Sequence, residues 1–111
     1  MKKLYAISSK GKTLRSFLDV RFGRCESIVI YDPVKKDHAI MDNPFKEGDH
    51  AGIKLVNFLE KNGVTAVITG EVGPTVQKKL EKDKIQLILL EEDRIKIEDI
   101  LNRIKVPQQE A

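Results

Sequence analysis

The sequence predicts an α/β domain with a five-stranded mixed sheet, helices on its faces and the element order β-β-β-α-β-α-β-α. Two observations predict this class. Short runs of β-branched and aliphatic residues recur along the chain and are bounded by Gly, Pro, Asn and Asp. Apolar residues at three- and four-residue steps, which are typical of amphipathic helices, are clear only in the second half.

The first half predicts a three-stranded meander. Its strands are expected at 4–8, 26–31 and 37–42, with a turn after Asp32-Pro33 joining the last two. The segment 10–24 is ambiguous. Three of its apolar residues fit helical spacing, whereas its two glycines and scattered charges fit a long loop.

The second half predicts alternating helices and strands. A first helix is expected to begin at Asp49 as N-cap and to end at Gly63. Strands at 64–69 and 85–90 flank a short helix that begins at Pro74, so these two strands should be parallel. Among known folds, the order fits the ribonuclease H-like arrangement, with an antiparallel middle meander strand. A last helix should bury Ile97, Ile100, Leu101 and Ile104.

Composition bounds the class of protein. The chain has 111 residues and is expected to form one domain over 1–106, followed by a polar tail at 107–111 that frays after Pro107. The longest predominantly apolar run, at 85–90 with one Gln, is far shorter than the ~20 residues of a membrane span. A start without an apolar stretch and a single Cys favour a cytoplasmic protein. Abundant Lys and Glu without Trp lean towards a thermophilic source.

Positive charge is concentrated at the N-terminus. Residues 1–24 contain seven Lys or Arg and one acidic residue, Asp19, a local charge of 7 − 1 = +6 against +3 for the whole chain. Such a segment indicates an anionic partner, either a small anion or nucleic acid, although a solvated basic surface is an equal alternative. We do not expect nucleic acid as the partner, because the few aromatic residues form no stacking series.

The predicted topology brings four loops to one edge of the sheet. Ligands of open α/β sheets bind beyond the carboxyl ends of parallel strands, and three strands should end at this edge while the second begins there. The candidate binding residues are Ser8 and Ser9 after the first strand, Arg21, Phe22, Gly23 and Arg24 before the second, Asn43 after the third, and Gly70, Gly73 and Pro74 after the fourth.

These residue types predict an anion site. Gly70 and Gly73 permit close backbone approach beside a helix N-terminus, although GxxGP is also an ordinary turn. Arg21 and Arg24 are forked cations that could bind the anion or could simply be solvated. Cys25 and His50 are candidate metal ligands, with nearby arginines lowering the thiol pKa. The alternative is that Cys25 is a buried core residue and that His50 is an exposed residue that binds no metal.

The sequence predicts no enzyme. The first strand carries no carboxylate of the kind that a two-metal nuclease needs. The chain also contains neither GxSxG, the serine-hydrolase motif, nor a P-loop or GxGxxG pattern.

Five motifs resemble one family: RFGRCESIVIYD (21–32), DNP (42–44), GDHAGI (48–53), NGV (62–64) and VITGEVGP (67–74). Over about residues 2–104 the chain resembles the dinitrogenase iron–molybdenum cofactor biosynthesis domain family. The resemblance implies a ribonuclease H-like fold without nuclease activity. It also implies a nitrogen fixation-related carrier or chaperone of an iron–sulfur or iron–molybdenum cluster or cofactor precursor. A cluster donor or acceptor protein would be the partner of the monomer or homodimer.

We therefore expect a small non-catalytic binding protein. The alternative is a regulatory module that binds another small anion, a nucleotide or nucleic acid on the same scaffold.

Overall fold

The computed structural model describes residues 3–92 and 94–104. The predicted element order and five-stranded mixed sheet are confirmed. The predicted tail at 107–111 lies outside the described residues. The elements are β1 (Tyr5–Ser9), β2 (Ser27–Asp32), β3 (Asp37–Asp42), α1 (Ala51–Lys61), β4 (Ala66–Thr69), α2 (Pro74–Lys82), β5 (Gln86–Leu89) and α3 (Ile97–Arg103).

The strand directions place four loops at one edge of the sheet. The strand order is β3-β2-β1-β4-β5, with β2 antiparallel to both β1 and β3, and β4 parallel to both β1 and β5. Ile7 at the centre of β1 pairs with Val29 on one side and Ile68 on the other. Strands β1, β3 and β4 therefore end at the edge where β2 begins, as the sequence predicts.

A hydrophobic core lies on each face of the sheet, because successive strand residues point to opposite faces. Strands β1 and β4 are buried along their whole length, which explains their apolar runs. One core packs α1 and α2 against residues such as Ile28 and Val67, and the other packs α3 against Ile7 and Val29. Of the four apolar positions predicted for the last helix, Ile97 and Ile100 are buried, whereas Leu101 and Ile104 are only partly buried.

The structure settles one ambiguity, corrects one expectation and places the last strand in the sheet. The segment 10–24 forms turns and isolated bridges rather than a helix. Helix α1 begins at Ala51 with His50 as N-cap, because His50 adopts a left-handed conformation, so the assignment of Asp49 as N-cap is wrong. The apolar run of β5 lies at the sheet edge, where Leu89 is 50% exposed.

None of the helices in the described ranges is long and apolar enough to cross a membrane.

Candidate functional site

A cavity of about 470 Å³ opens between the N-termini of α1 and α2, beside the loop that precedes β2. Six of the predicted site residues meet here, which agrees with the convergence expected from topology. These residues are Arg21, Phe22, Gly23, Arg24, His50 and Gly73.

Both helices present an uncapped N-terminus. The N-cap residues are His50 for α1 and Gly73 for α2, and neither makes a side-chain capping hydrogen bond. Neither helix has an acidic residue in its first turn. The first N–H groups of a helix lack partners within the helix and carry a positive partial charge. In α2 these donors begin after Pro74, because proline has no N–H. The cavity therefore lies between two sets of backbone donors that favour an anion.

Glycines allow the walls of the cavity to approach each other. A Cβ atom at Gly23 would lie 2.5 Å from the backbone nitrogen of Gly52. A Cβ atom at Gly52 would lie 2.6 Å from Cγ2 of Val76 in α2. Side chains at these two positions would push the helices and the loop apart, so the shape of the cavity depends on their absence.

Arg21 is paired with a buried carboxylate. Its Nε and Nη2 donate to Oδ1 and Oδ2 of Asp19 at 3.2 and 3.1 Å, and its backbone N–H donates to Oδ1 at 3.0 Å. These hydrogen bonds and the charge of Asp19 raise the pKa of Arg21. The side chain of Asp19 is 1% exposed, whereas that of Arg21 is 60% exposed. The pair therefore anchors an accessible cation at the edge of the cavity.

Arg24 links the cavity to the loop before α1. Its Nη1 donates to the carbonyl oxygens of Lys46 and Gly48, at 2.8 and 3.0 Å. One nitrogen of the guanidinium thus holds the 46–48 loop, and the side chain also lines the cavity.

Cys25 is fully buried and does not line the cavity. Burial is the main cause that raises the pKa of its thiol to about 12, and the charge of Asp19 adds to the rise. The expectation that the arginines lower this pKa is therefore wrong. The Nδ2 atom of Asn43 donates to the carbonyl oxygens of Gly23 and Cys25, at 2.8 and 3.0 Å, and lies 3.6 Å from the sulfur. Cys25 is thus a protonated core residue at neutral pH.

The remaining predicted residues lie outside the cavity lining. Ser8 is buried, and its Oγ donates to the carbonyl of Asp19 at 2.6 Å. Ser9 is also buried, and its Oγ donates to the carbonyl of Gly11 at 2.9 Å. Their side chains support the loops rather than face a ligand. Asn43, Gly70 and Pro74 are likewise absent from the lining.

Each of these three residues has a structural role instead. Asn43 is 2% exposed and uses its amide to hold the loop before β2. Gly70 packs against Val20, whose Cα would lie 2.5 Å from a Cβ atom at position 70. Pro74 occupies the start of α2, as the sequence predicts. Of the two loop glycines, only Gly73 is open towards the cavity.

The family model described as dinitrogenase iron–molybdenum cofactor matches residues 1–106. The chain belongs to this family. Membership of this family associates the chain with cofactor binding and with the proteins of nitrogenase cofactor biosynthesis. Comparison with functionally curated proteins gave no significant match.

Three solved structures resemble the family member. The apo form of the orange protein from Desulfovibrio gigas has a TM-score of 0.84 and 26% identity, with 93% of this chain and 87% of that chain covered. A Thermotoga protein of the DUF35 family, provisionally described as NifB, has a TM-score of 0.76 and 26% identity, with 92% of this chain and 85% of that chain covered. PH0822 shares the fold, with a TM-score of 0.75 and 20% identity, and with 89% of this chain and 86% of that chain covered. Together with the family, the orange protein indicates a small cofactor-binding or carrier protein.

Sequence reasoning missed several residues at the site of this family member. The sequence indicates Asp19 only as a charge, because its pairing with Arg21 two residues later depends on its burial in a turn segment. Glu71 places a carboxylate at the cavity within the glycine loop that was expected to bind an anion. The other lining residues that were missed are Ala51, Gly52, Val72 and Val76.

The groups that line the cavity fit an anion better than a bare metal ion. Within residues 3–92 and 94–104, no three His, Cys, Asp or Glu side chains are grouped to hold a metal ion. The cavity instead offers helix N–H groups and guanidinium groups, which bind negative charge. A metal cluster with a net negative charge could be held here through hydrogen bonds and charge.

Proposed function

We propose that this protein is a non-catalytic carrier that holds an anionic iron–sulfur or iron–molybdenum type cluster, or a precursor of one, in the cavity between α1 and α2. The observation that carries the proposal is the meeting of two uncapped helix N-termini and two arginines in one cavity of about 470 Å³. Hydrogen-bond donors fixed in this way bind an anion without the cost of ordering them.

The walls of the cavity support an anionic cluster as cargo. Phe22, Val72 and Val76 contribute apolar surface beside the donors. Apolar walls lower the local dielectric constant and strengthen the attraction between the cluster and the arginines. Among the described residues, Glu71 is the one acidic residue in the lining, against Arg21 and Arg24, although Asp19 beneath the lining offsets part of the charge of Arg21.

The two candidate metal ligands stand in different positions. His50 is exposed at the cavity and is the candidate ligand to a metal of the cluster. Cys25 remains a candidate ligand only if the loop before β2 moves, since Asn43 now holds that loop over the buried thiol.

The scaffold supports a binding role rather than catalysis. We assign it to the ribonuclease H-like fold, an assignment supported by the strand order β3-β2-β1-β4-β5 with an antiparallel β2. The end of β1 carries the buried serines Ser8 and Ser9 instead of metal-binding carboxylates. Asp19, which lies close to them, is committed to Arg21.

A carrier needs a second protein that supplies or receives its cargo. We propose a cluster donor or acceptor of nitrogenase cofactor biosynthesis as this partner, in the cytoplasm. Family membership supports the partner, and the single cysteine supports a reducing compartment.

Substitution at Gly73 tests the proposal without disturbing the core. Gly73 has an extended backbone as the N-cap of α2, and a Cβ atom there would meet nothing within 4 Å. Gly73→Asp would cap α2 and place a carboxylate in the cavity, whereas Gly73→Asn would cap the same N–H groups without a charge. Both variants should melt at or above the wild-type temperature.

Cluster retention should separate the two variants. After anaerobic reconstitution with iron and sulfide and desalting, we expect the wild type to keep iron and sulfide and to show cluster absorption and paramagnetic-resonance spectra. Gly73→Asp should retain at least tenfold less, and Gly73→Asn an intermediate amount. A wild type that retains neither element, or a Gly73→Asp variant that retains as much as the wild type, would contradict the proposal.

A further inference from the structure

Arg21 is held along one of its two hydrogen-bonding edges. A guanidinium has five N–H donors, which lie along a side edge formed by Nε and Nη2 and an end edge formed by Nη1 and Nη2. The pairing of Nε and Nη2 with Asp19 uses the side edge. The Nη1 atom at the end edge has no hydrogen-bond partner in the ranges that the structure describes. Because Arg21 lines the cavity and is 60% exposed, this end edge is accessible to a ligand.

The carboxylate that holds Arg21 is itself fixed by the ends of two strands. The backbone N–H of Asp19 donates to the carbonyl of Ser8 in β1 at 3.0 Å. Its carbonyl accepts hydrogen bonds from the hydroxyl of Ser8 at 2.6 Å and from that of Thr69, at the end of β4, at 3.5 Å. The Asp19 side chain is almost completely buried. The sheet therefore sets where the carboxylate lies and, through it, where the guanidinium lies.

We propose that Asp19 is a positioning residue, which fixes the side edge of Arg21 so that the end edge is presented to an anion in the cavity. This inference rests on the proposed function, since it takes the ligand to be anionic. A free arginine loses rotamer freedom when it binds an anion, whereas Arg21 is already ordered by Asp19.

Charge and position predict opposite effects for one substitution. Asp19→Asn removes a negative charge near the cavity, which by charge alone would strengthen anion binding. It also replaces a carboxylate oxygen that faces an Arg21 donor with an amide nitrogen, which cannot accept. If positioning dominates, anion binding becomes weaker. The backbone bonds of Asp19 to Ser8 do not involve the substituted atoms, so the loop should keep its course.

The first measurement is the affinity for sulfate, used as the probe anion and followed by NMR titration at low ionic strength. Asp19→Asn should bind sulfate about tenfold more weakly than the wild type, as expected for the loss of a charged hydrogen bond. The matched control is Asp42→Asn, which removes the same charge from an exposed pair with Lys12 at the same edge of the sheet. The control should bind sulfate as tightly as the wild type or slightly more tightly.

A double-mutant cycle tests whether the effect passes through Arg21. Arg21→Lys keeps the charge but removes the two hydrogen-bonding edges of the guanidinium. It should weaken sulfate binding about as much as Asp19→Asn does. Adding Asp19→Asn to Arg21→Lys should change the affinity by less than twofold. An unchanged tenfold effect in the Arg21→Lys background would overturn the positioning role.

A second readout needs no ligand. The Nε–H proton of Arg21 should exchange with solvent much more slowly than that of Arg15, whose exposed side chain has no hydrogen-bond partner in the described part of the chain. Asp19→Asn should abolish the difference. Equal exchange of the two protons in the wild type would overturn the proposal, even if Asp19→Asn failed to fold.

The outcomes distinguish this inference from the proposed function. If Asp19→Asn binds sulfate as tightly as or more tightly than the wild type, or if the wild type does not bind sulfate, Asp19 is not a positioning residue for an anion. If the sulfate and exchange results are as expected but iron and sulfide are not retained, the inference stands and the cluster is not the cargo.

Discussion

The backbones of Gly23 and Gly52 are in direct contact at the wall of the cavity, where a Cβ atom at position 23 would lie 2.5 Å from the Gly52 nitrogen and 2.7 Å from its Cα. The contact joins the loop before β2 to the first turn of α1. Since both partners are backbone, neither can turn aside to admit a methyl group.

Gly23→Ala should therefore destabilise the protein. Forcing a methyl group into this contact should lower the free energy of unfolding by roughly 1–3 kcal/mol. Gly48→Ala is the control, because the nearest atom to a Cβ there, the Phe45 oxygen, lies 3.9 Å away. Urea denaturation monitored by circular dichroism measures both. Equal stability of the two variants would show that the loop shifts at no cost.

The buried thiol of Cys25 predicts a loss of stability in alkali. Burial raises its pKa from an ordinary value of 9.0 to about 12 in the folded protein. Between these values the unfolded chain has lost the proton that the folded chain keeps, so stability falls as pH rises from about 9 to about 12. Denaturation curves across this range should show a steeper loss for the wild type than for Cys25→Ala. Parallel curves would contradict the assigned burial of the thiol.

The left-handed backbone of His50 predicts a stabilising substitution. His50 has φ 56° and ψ 37° at the N-cap of α1, a conformation that costs a residue with a Cβ roughly 1–2 kcal/mol. His50→Gly removes that cost but loses more entropy on folding, so a net gain of about 0.5–1 kcal/mol is expected. His50→Ala retains the conformational cost and serves as control. A decrease in the melting temperature of His50→Gly would contradict this expectation.

The last helix offers a test of burial. Ile100 is 2% exposed, whereas Leu101 is only partly buried against the same core. Ile100→Ala should lower the free energy of unfolding by about 2–5 kcal/mol, and Leu101→Ala by clearly less. A larger loss for Leu101 in a denaturant melt would mean that α3 is rotated relative to the sheet.

The sequence predicted the element order because the apolar patterns of β4 and α1 are local properties. It could not resolve the segment 10–24, whose course is set by distant partners: the backbone N–H of Leu18 donates to the carbonyl of Ile95. A bond between residues so far apart leaves no periodic signal in either segment. The position of β5 at the sheet edge is likewise a matter of strand order, which the apolar run alone does not reveal.

For the site, topology predicted which loops meet but not which side chains face the cavity. Arg24 and Gly73 were found because their loops end in the cavity. Ser8 and Asn43 belong to the correct loops, yet their side chains satisfy buried carbonyl groups beneath it. Asp19 was missed as a site residue because its role depends on the burial of its side chain. Asp19 lies in a turn segment, where no alternation of polar and apolar residues predicts which side chains are buried.

The two uncapped helix starts have a consequence for how this protein can change over evolution. Backbone N–H groups are supplied by every residue type except proline, and their direction is set by the helix axis. Residues in these first turns could therefore vary without removing those donors, except where a side chain has no room, as at Gly52. Proteins with only about a quarter of their residues in common could thus keep the same backbone donors at this cavity. Differences between such proteins would then lie in the few side chains at the rim, which here include His50 and Glu71.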